Sequence, residues 1–385
     1  MAFISSMYTY TWDLTDEGLD RSLDRIASLA RCNEVMLAVS YHVSTYFLPH
    51  NPKRPIYYGE NGALYFQPDL ARYTRTRMRG HVSEIVEGEA YLERIVEAIL
   101  KKGLRFGAWI VYCYNHNLAS RYPEFAKHDA FGNPYLAQVS VAPEDVREYF
   151  LAMTRDVVER FRPDSVHVES LHRLNYSYGF QNPKVLTPIP PQAESLLGLC
   201  FNPASKAVAA KAGLDADQLQ RDVAAWLRPR LERIPRKEDM APASSDWIAG
   251  LFDGRLKKYL DANREHTTRL WLDVAGVIQK GGARVQTTLV SPDAVARIDL
   301  DPRIHRHIGR ATIQPGASVE EARRQLGEGG VAMVSTQPAR FSEAQGLVEQ
   351  VHAAARAGAG GCNFYNYGLL REEHLRYIGQ ALSTM

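Results

Sequence analysis

The stretch Arg162-Pro163-Asp164-Ser165-Val166-His167-Val168-Glu169-Ser170-Leu171-His172 decides the fold. It reads as a short buried strand. Side chains alternate across a strand, so Val166 and Val168 share one face and His167 and Glu169 the other. A strand buried on both faces is apolar throughout. A His and a Glu on one face therefore call for a polar cavity, the mouth of a barrel in which Glu169 meets a substrate.

The flanking sequence supplies the rest of such a barrel. Upstream, strand-like runs at Phe3–Trp12, Glu34–His42 and Leu104–Tyr114 alternate with helical periodicity over Asp16–Ala30, Glu89–Lys102 and Pro143–Phe161. Downstream, the rhythm breaks: a proline-rich connector, Pro183–Pro191, leads to two long helices, Ala204–Arg233 and Asp246–Lys280. It resumes with strands Ala283–Val290, Ile308–Ile313, Val331–Thr336 and Gly361–Tyr367, and helices Ser318–Leu326, Ser342–Ala357 and Arg371–Ala381. This pattern predicts an α/β fold, a (β/α)8 TIM barrel, formed by residues 1–385 as one domain. It has long loops after strands two and three, and a helical insertion at 175–245 after strand four. No glycine-rich fingerprint opens a helix, which counts against a nucleotide-binding doubly wound sheet.

Composition narrows the class. The 385 residues are 45% hydrophobic, enough for a large core, and 46 basic against 44 acidic residues leave a net charge of +2. No overall field favours nucleic acid or an anionic membrane. Cys32, Cys113, Cys200 and Cys362 are far apart without a CxxC, which argues against a zinc knot or disulfide framework and suits a reducing cytoplasm. The N-terminus lacks a basic leader, with Asp13 where small residues would be needed. A soluble cytoplasmic protein with no nucleic-acid or membrane partner is expected; homo-oligomer formation is left open.

In such a barrel the active site lies at the carboxyl ends of the strands. The residues expected there are Asp13, Tyr41, His42, Tyr112, Tyr114, Asn115, His116, Glu169, His172, Gln286, Gln314, Gln337, Asn363, Tyr365 and Asn366, with His167 one step deeper. Rings and neutral hydrogen-bonding groups suit a small carbohydrate; the scarcity of Lys and Arg does not suit phosphate. Asp13 equally suits the cap of the following helix, and His167 a satisfied core histidine.

Tyr122-Pro123-Glu124-Phe125, the turn Asp129-Ala130-Phe131-Gly132-Asn133, the helix start Pro143-Glu144-Asp145-Val146-Arg147 and the run from Arg162 to Glu169 carry a family resemblance. Across roughly residues 90–172 the chain resembles the hypothetical glycosyl hydrolases with a (β/α)8 barrel, distantly similar to α-amylases and α-L-fucosidases. The resemblance implies a fourth strand ending in a catalytic acid, the nucleophile of the better-known relatives. Glu169 stands at that place, usually Asp, with one extra methylene. Strand five has no Glu where the amylase-like pattern puts an acid; Ser291-Pro292-Asp293 reads better as a helix start.

The expectation is a glycosidase without cofactor or metal, using Glu169 and Asp13 as catalytic carboxyls, with Glu60 and Asp129 as loop-borne alternatives to Asp13. Hydrolysis usually needs two such groups, ~5–5.5 Å apart for retention and ~6.5–9.5 Å for inversion. Two alternatives remain. One is a metal-dependent sugar isomerase, lyase or hydrolase using His42, His116, His167 and Glu169; the His305-Arg306-His307 pair is expected on the far side of the barrel. The other is a non-catalytic carbohydrate-binding barrel.

Overall fold

The computed structural model describes residues 2–178, 184–289 and 299–385. Eight strands form its centre: β1 (Ile4–Thr9), β2 (Glu34–Tyr41), β3 (Arg105–Val111), β4 (Ser165–Glu169), β5 (Arg284–Thr288), β6 (Arg310–Ile313), β7 (Val331–Thr336) and β8 (Gly361–Phe364). Each pairs in parallel with the next, and β1 pairs with both β2 and β8, so the sheet closes into a barrel. At Gly361 the close approach of β1 requires a glycine, since a Cβ there would stand 2.1 Å from the Ile4 carbonyl oxygen.

Alternation along the strands separates two cores. Val35, Leu37 and Val39 of β2 point outward into the apolar layer shared with the helices, whereas Met36 and Ala38 join an interior cluster with Tyr8 and Trp109. At the amino-terminal end of the barrel the Arg310 guanidinium donates to both Glu34 oxygens (2.8 and 2.6 Å) and to the Ser165 hydroxyl (3.1 Å). Both charges are buried. Such a pair persists because each partner offsets the other's desolvation. It closes that end and leaves the carboxyl ends open.

The outer helices follow the predicted order. Glu144–Phe161 buries Val146, Phe150, Met153, Val157 and Phe161, a 3.6-residue stripe, and ends at Arg162 in the left-handed region (φ 46°). Several boundaries differ from the sequence reading. The run expected as a helix over Asp16–Ala30 is divided at Gly18 (φ 91°): Thr11–Glu17 ends there, and Leu19–Asp24 continues into a wider helical turn, Arg25–Leu29. The first strand stops at Thr9, because the Asp13 carboxylate accepts the Tyr10 N–H (3.0 Å) and starts a helix at Thr11–Glu17 that includes Trp12. The run expected as Ala204–Arg233 is two helices, Pro203–Lys211 and Ala216–Glu232, broken where Gly213 takes φ 73°. The run expected as Asp246–Lys280 is Ser245–Gly250 and Arg255–Lys280, divided by three successive positive φ values at Phe252, Asp253 and Gly254. The eighth strand ends at Phe364 and turns into Tyr367–Leu369.

Between β4 and β5, the helices Pro191–Leu197, Pro203–Lys211, Ala216–Glu232 and Arg255–Lys280 pack around a separate apolar cluster that includes Leu196, Leu219, Val223 and Tyr259. The long loop after β2 carries a small antiparallel hairpin, Thr45–Phe47 with Ile56–Tyr58. Among the described residues no helix is long and apolar enough to cross a membrane.

Candidate active site

A cavity of about 700 Å³ opens at the carboxyl ends of the strands, a size that suits a small organic ligand. The same alternation that builds the interior cluster delivers its side chains. On β1, Tyr8 points inward, and Tyr10, still extended (φ −106°, ψ 158°), continues that face before the helix begins. From β3 comes Trp109, and from β4 come His167 and Glu169, side by side with β3 in register (His167 opposite Trp109, Glu169 opposite Val111). Ser170 then takes the left-handed region (φ 57°), turning the chain immediately after Glu169.

Glu169 is half-buried, and its Oε2 accepts the Trp109 indole N–H at 2.6 Å. Burial raises its pKa, because desolvation disfavours the charged form, and the indole N–H opposes this in part. Oε1 has no hydrogen-bond partner among the described residues. The indole is held on three sides by rings: Tyr10 stacked at 5.8 Å, Tyr8 edge-on at 5.1 Å and Tyr41 edge-on at 4.6 Å. Across the mouth, Tyr365 brings its hydroxyl to those of Tyr10 (3.1 Å) and Tyr41 (3.4 Å).

The hydrogen-bond partners set the tautomers of two of the three cavity histidines, those that face a backbone carbonyl. The Tyr8 oxygen accepts from Gln286 Nε2 (3.0 Å) and also bonds His167 Nδ1. His42 donates Nδ1–H to the Val43 carbonyl (2.7 Å) and His172 donates Nδ1–H to the Arg173 carbonyl (2.9 Å). Their Nε2 atoms are acceptors. Burial lowers all three pKa values, to about 4 for His42 and about 3 for His167. At neutral pH His42 and His172 offer the cavity two uncharged imidazole acceptors. His42 is clamped between Tyr41 (4.2 Å) and Tyr114 (4.4 Å).

Of the residues expected at the mouth, the structure brings together Glu169, His167, Tyr41, His42, His172, Gln314, Asn363 and Tyr365 as cavity lining. Gln286 sits beneath it, bonded to Tyr8. The others are placed elsewhere. Asp13 does not line the cavity: its Oδ2 accepts the Tyr10 N–H and the Thr9 hydroxyl (3.2 Å), and burial pushes its pKa to about 7. Tyr112 follows the last inward residue, Val111, so alternation sends it out to the Thr154 hydroxyl (3.0 Å) on the helix Glu144–Phe161. Tyr114 backs His42 without lining the cavity. Asn115 caps the helix His116–Arg121, accepting the Leu118 N–H (2.9 Å), which takes His116 into the first turn of that helix and off the mouth. Asn366 caps the turn at Gly368 (3.3 Å), and Gln337 is exposed where a short turn begins.

The loop-borne carboxylates are likewise engaged elsewhere. Glu60 bonds His81 and Ser83, and Asp129 accepts the Phe131 and Asn133 backbone N–H groups (2.9 Å each). Asp293 lies outside the described residues. Glu169 is thus the one carboxylate lining the cavity among the described residues. Among them, too, no three His, Cys, Asp or Glu side chains gather closely enough to hold a metal ion, so the metal-dependent alternative has no donor set there. His305, expected on the far side, borders an extension of the cavity with Trp271 and Ile304. The sequence reading missed Tyr8, Tyr10 and Trp109. Their signal was parity: counting by twos from each inward residue would have placed them beside Glu169.

A closed parallel barrel with a polar, ring-lined mouth at its carboxyl ends defines the class, a (β/α)8 barrel. Among solved structures, the chain is similar to α-L-fucosidase isoenzyme 2 from Paenibacillus thiaminolyticus, with a TM-score of 0.55 and 12% identity over 100% of this chain and 49% of that one. It is also similar to a β-galactosidase from the psychrophilic Marinomonas ef1 (TM-score 0.56, 10% identity, 100% of this chain and 59% of that one). A β-galactosidase from the haloarchaeon Halorubrum lacusprofundi gives a TM-score of 0.53 at 11% identity, over 99% and 58% of the two chains. The chain thus spans about half the length of these structures. No protein-family model matches the sequence, and no curated protein is similar to it.

Proposed function

We propose that this chain is a glycosidase barrel that cleaves a small glycoside or oligosaccharide, with Glu169 as the general acid. The observation that carries the reading is the raised pKa of a carboxyl held by one indole N–H at the end of β4, in a ring-lined cavity. A general acid has to hold its proton, and burial shifts Glu169 in that direction by disfavouring its charged form. With Oε2 fixed by Trp109, Oε1 gives its proton to the departing glycosidic oxygen as the C–O bond breaks; water adds to the anomeric carbon, and the proton it sheds restores the Glu169 carboxyl. The indole N–H stabilises the carboxylate between the two steps. Tyr365 supplies a partly open ring face, and the neutral His42 and His172 meet sugar hydroxyls without attracting ions. The four cysteines are buried and unpaired, in keeping with a reducing cytoplasm.

The acid role gives Glu169→Gln a distinctive signature on α-L-fucosides and β-D-galactosides, the sugars named for the structural neighbours. A poor alkyl leaving group needs the proton, so its turnover falls by about 10²–10⁴-fold; a dinitrophenyl leaving group does not, so its bond-cleavage step is spared. Equal loss on both would make Glu169 the nucleophile, and unchanged turnover on both would refute its participation. A second reading, a carbohydrate-binding barrel without turnover, is favoured by the single carboxylate among the described lining residues. Saturable sugar binding with no hydrolysis by the native protein would select it.

A further inference from the structure

The hairpin beside the mouth has one face that the fold uses and one that it does not. On the first, Tyr46 and Tyr57 stand opposite each other, rings 5.9 Å apart, and both pack on Trp12 (5.3 and 4.9 Å). On the second lie the pairs Thr45–Tyr58 and Phe47–Ile56. There Phe47 is 56% exposed, Ile56 51% and Tyr58 76%. A rigidly anchored strand pair that turns two rings and an isoleucine to solvent pays a hydration penalty with no return in folding.

We propose that this face is a binding platform for the outer rings of an oligosaccharide whose terminal sugar occupies the cavity. Continuity places it there: Ser44, Thr45 and Tyr46 line the cavity, and Tyr58 stands directly opposite Thr45. Residues two apart on a strand are ~6.8 Å apart at ~3.4 Å per residue, and cross-strand neighbours are ~5 Å apart. The patch therefore has the dimensions of one or two sugar rings. Its side chains are uncharged, and aromatic faces suit the apolar faces of pyranoses. A second copy of the chain fits poorly, since a stable interface buries about 800 Å² per partner, far more than three side chains supply. The ligand class rests on the glycosidase reading; the location rests on the hairpin alone.

The test compares the native chain with Phe47→Ala/Tyr58→Ala on an array of galactose- and fucose-terminated glycans, from monosaccharides to hexasaccharides. Native binding should strengthen from mono- to trisaccharides. The variant should lose about tenfold on trisaccharides and longer, the scale of one well-placed aromatic contact, and nothing on monosaccharides. Both side chains are exposed, so the melting temperature should not move, and a melt on each sample checks this. No length dependence in the native protein, an equal loss on monosaccharides, no binding at all, or a change in sedimentation in place of glycan affinity would each overturn the platform. A length-dependent loss alongside an unchanged Glu169→Gln turnover would keep the platform and refute the acid instead.

Discussion

Replacing Trp109 with phenylalanine removes one donor from Glu169 and keeps an aromatic ring among Tyr8, Tyr10 and Tyr41. The lost bond runs from the indole N–H to Oε2 at 2.6 Å, shorter than the usual range for an N–H donor to a carboxylate. Toward a charged acceptor such a bond is worth about 1.5–3 kcal/mol, and toward the neutral carboxyl roughly half that. The charged form therefore loses about 1 kcal/mol more than the neutral form. At ~1.4 kcal/mol per pKa unit, the Glu169 pKa rises by about 0.5–1 unit above its already raised value. Titration of side-chain-labelled glutamate by carbon NMR, with Glu169→Gln identifying the resonance, reads this without any substrate. With a turned-over glycoside, the basic limb of the pH–rate profile should move up by the same amount. A Glu169 titration that stays in place or moves down in Trp109→Phe would refute the claim that the indole sets the acid.

Glu169→Gln should also raise the melting temperature at pH 8 and not at pH 4: a carboxyl whose folded pKa lies above its unfolded value costs stability as pH rises through that interval, and the amide does not ionise. Arg310→Met should cost about 3–5 kcal/mol in a denaturant titration, because it leaves the buried Glu34 with only the more distant Arg105 (3.7 Å) as counter-charge, whereas Arg310→Met with Glu34→Leu should recover much of the loss. Nitrogen-15 NMR at pH 7 should find His42 and His172 protonated on Nδ1; any other pattern breaks the proposed reading of the cavity. His50, opposed by burial but held by Glu17, has a raised pKa, so its contribution is complete below pH ~6.5 and lost as pH rises through the folded value. His50→Gln should accordingly destabilise the fold more at pH 5.5 than at pH 9.

The barrel itself was legible because its determinants are local. The apolar runs at β2 and β3, the amphipathic stripe of Glu144–Phe161 and the polar pair His167/Glu169 each state a face and a period within a dozen residues. Element ends were less legible where one side chain decides them. Asp13 stops β1 by bonding Tyr10, and three left-handed residues near Gly254 divide a run whose periodicity continues across the break.

Sequence by itself determined the eight-strand rhythm, the inward direction of Glu169 and the aromatic, nearly cation-free character of the strand ends, since alternation and composition survive without knowledge of neighbours. Only the tertiary structure decided which polar residues meet. Tyr8 reaches His167 across 159 positions and Tyr10 reaches Tyr365 across 355, while Asp13, Tyr112 and Asn115, equally well placed by position, are engaged in a helix start, an outer helix and the cap of a short helix. The physical reason is that closure of the barrel fixes which strands are adjacent. One residue of parity then sends a side chain either to the cavity or to the layer behind it.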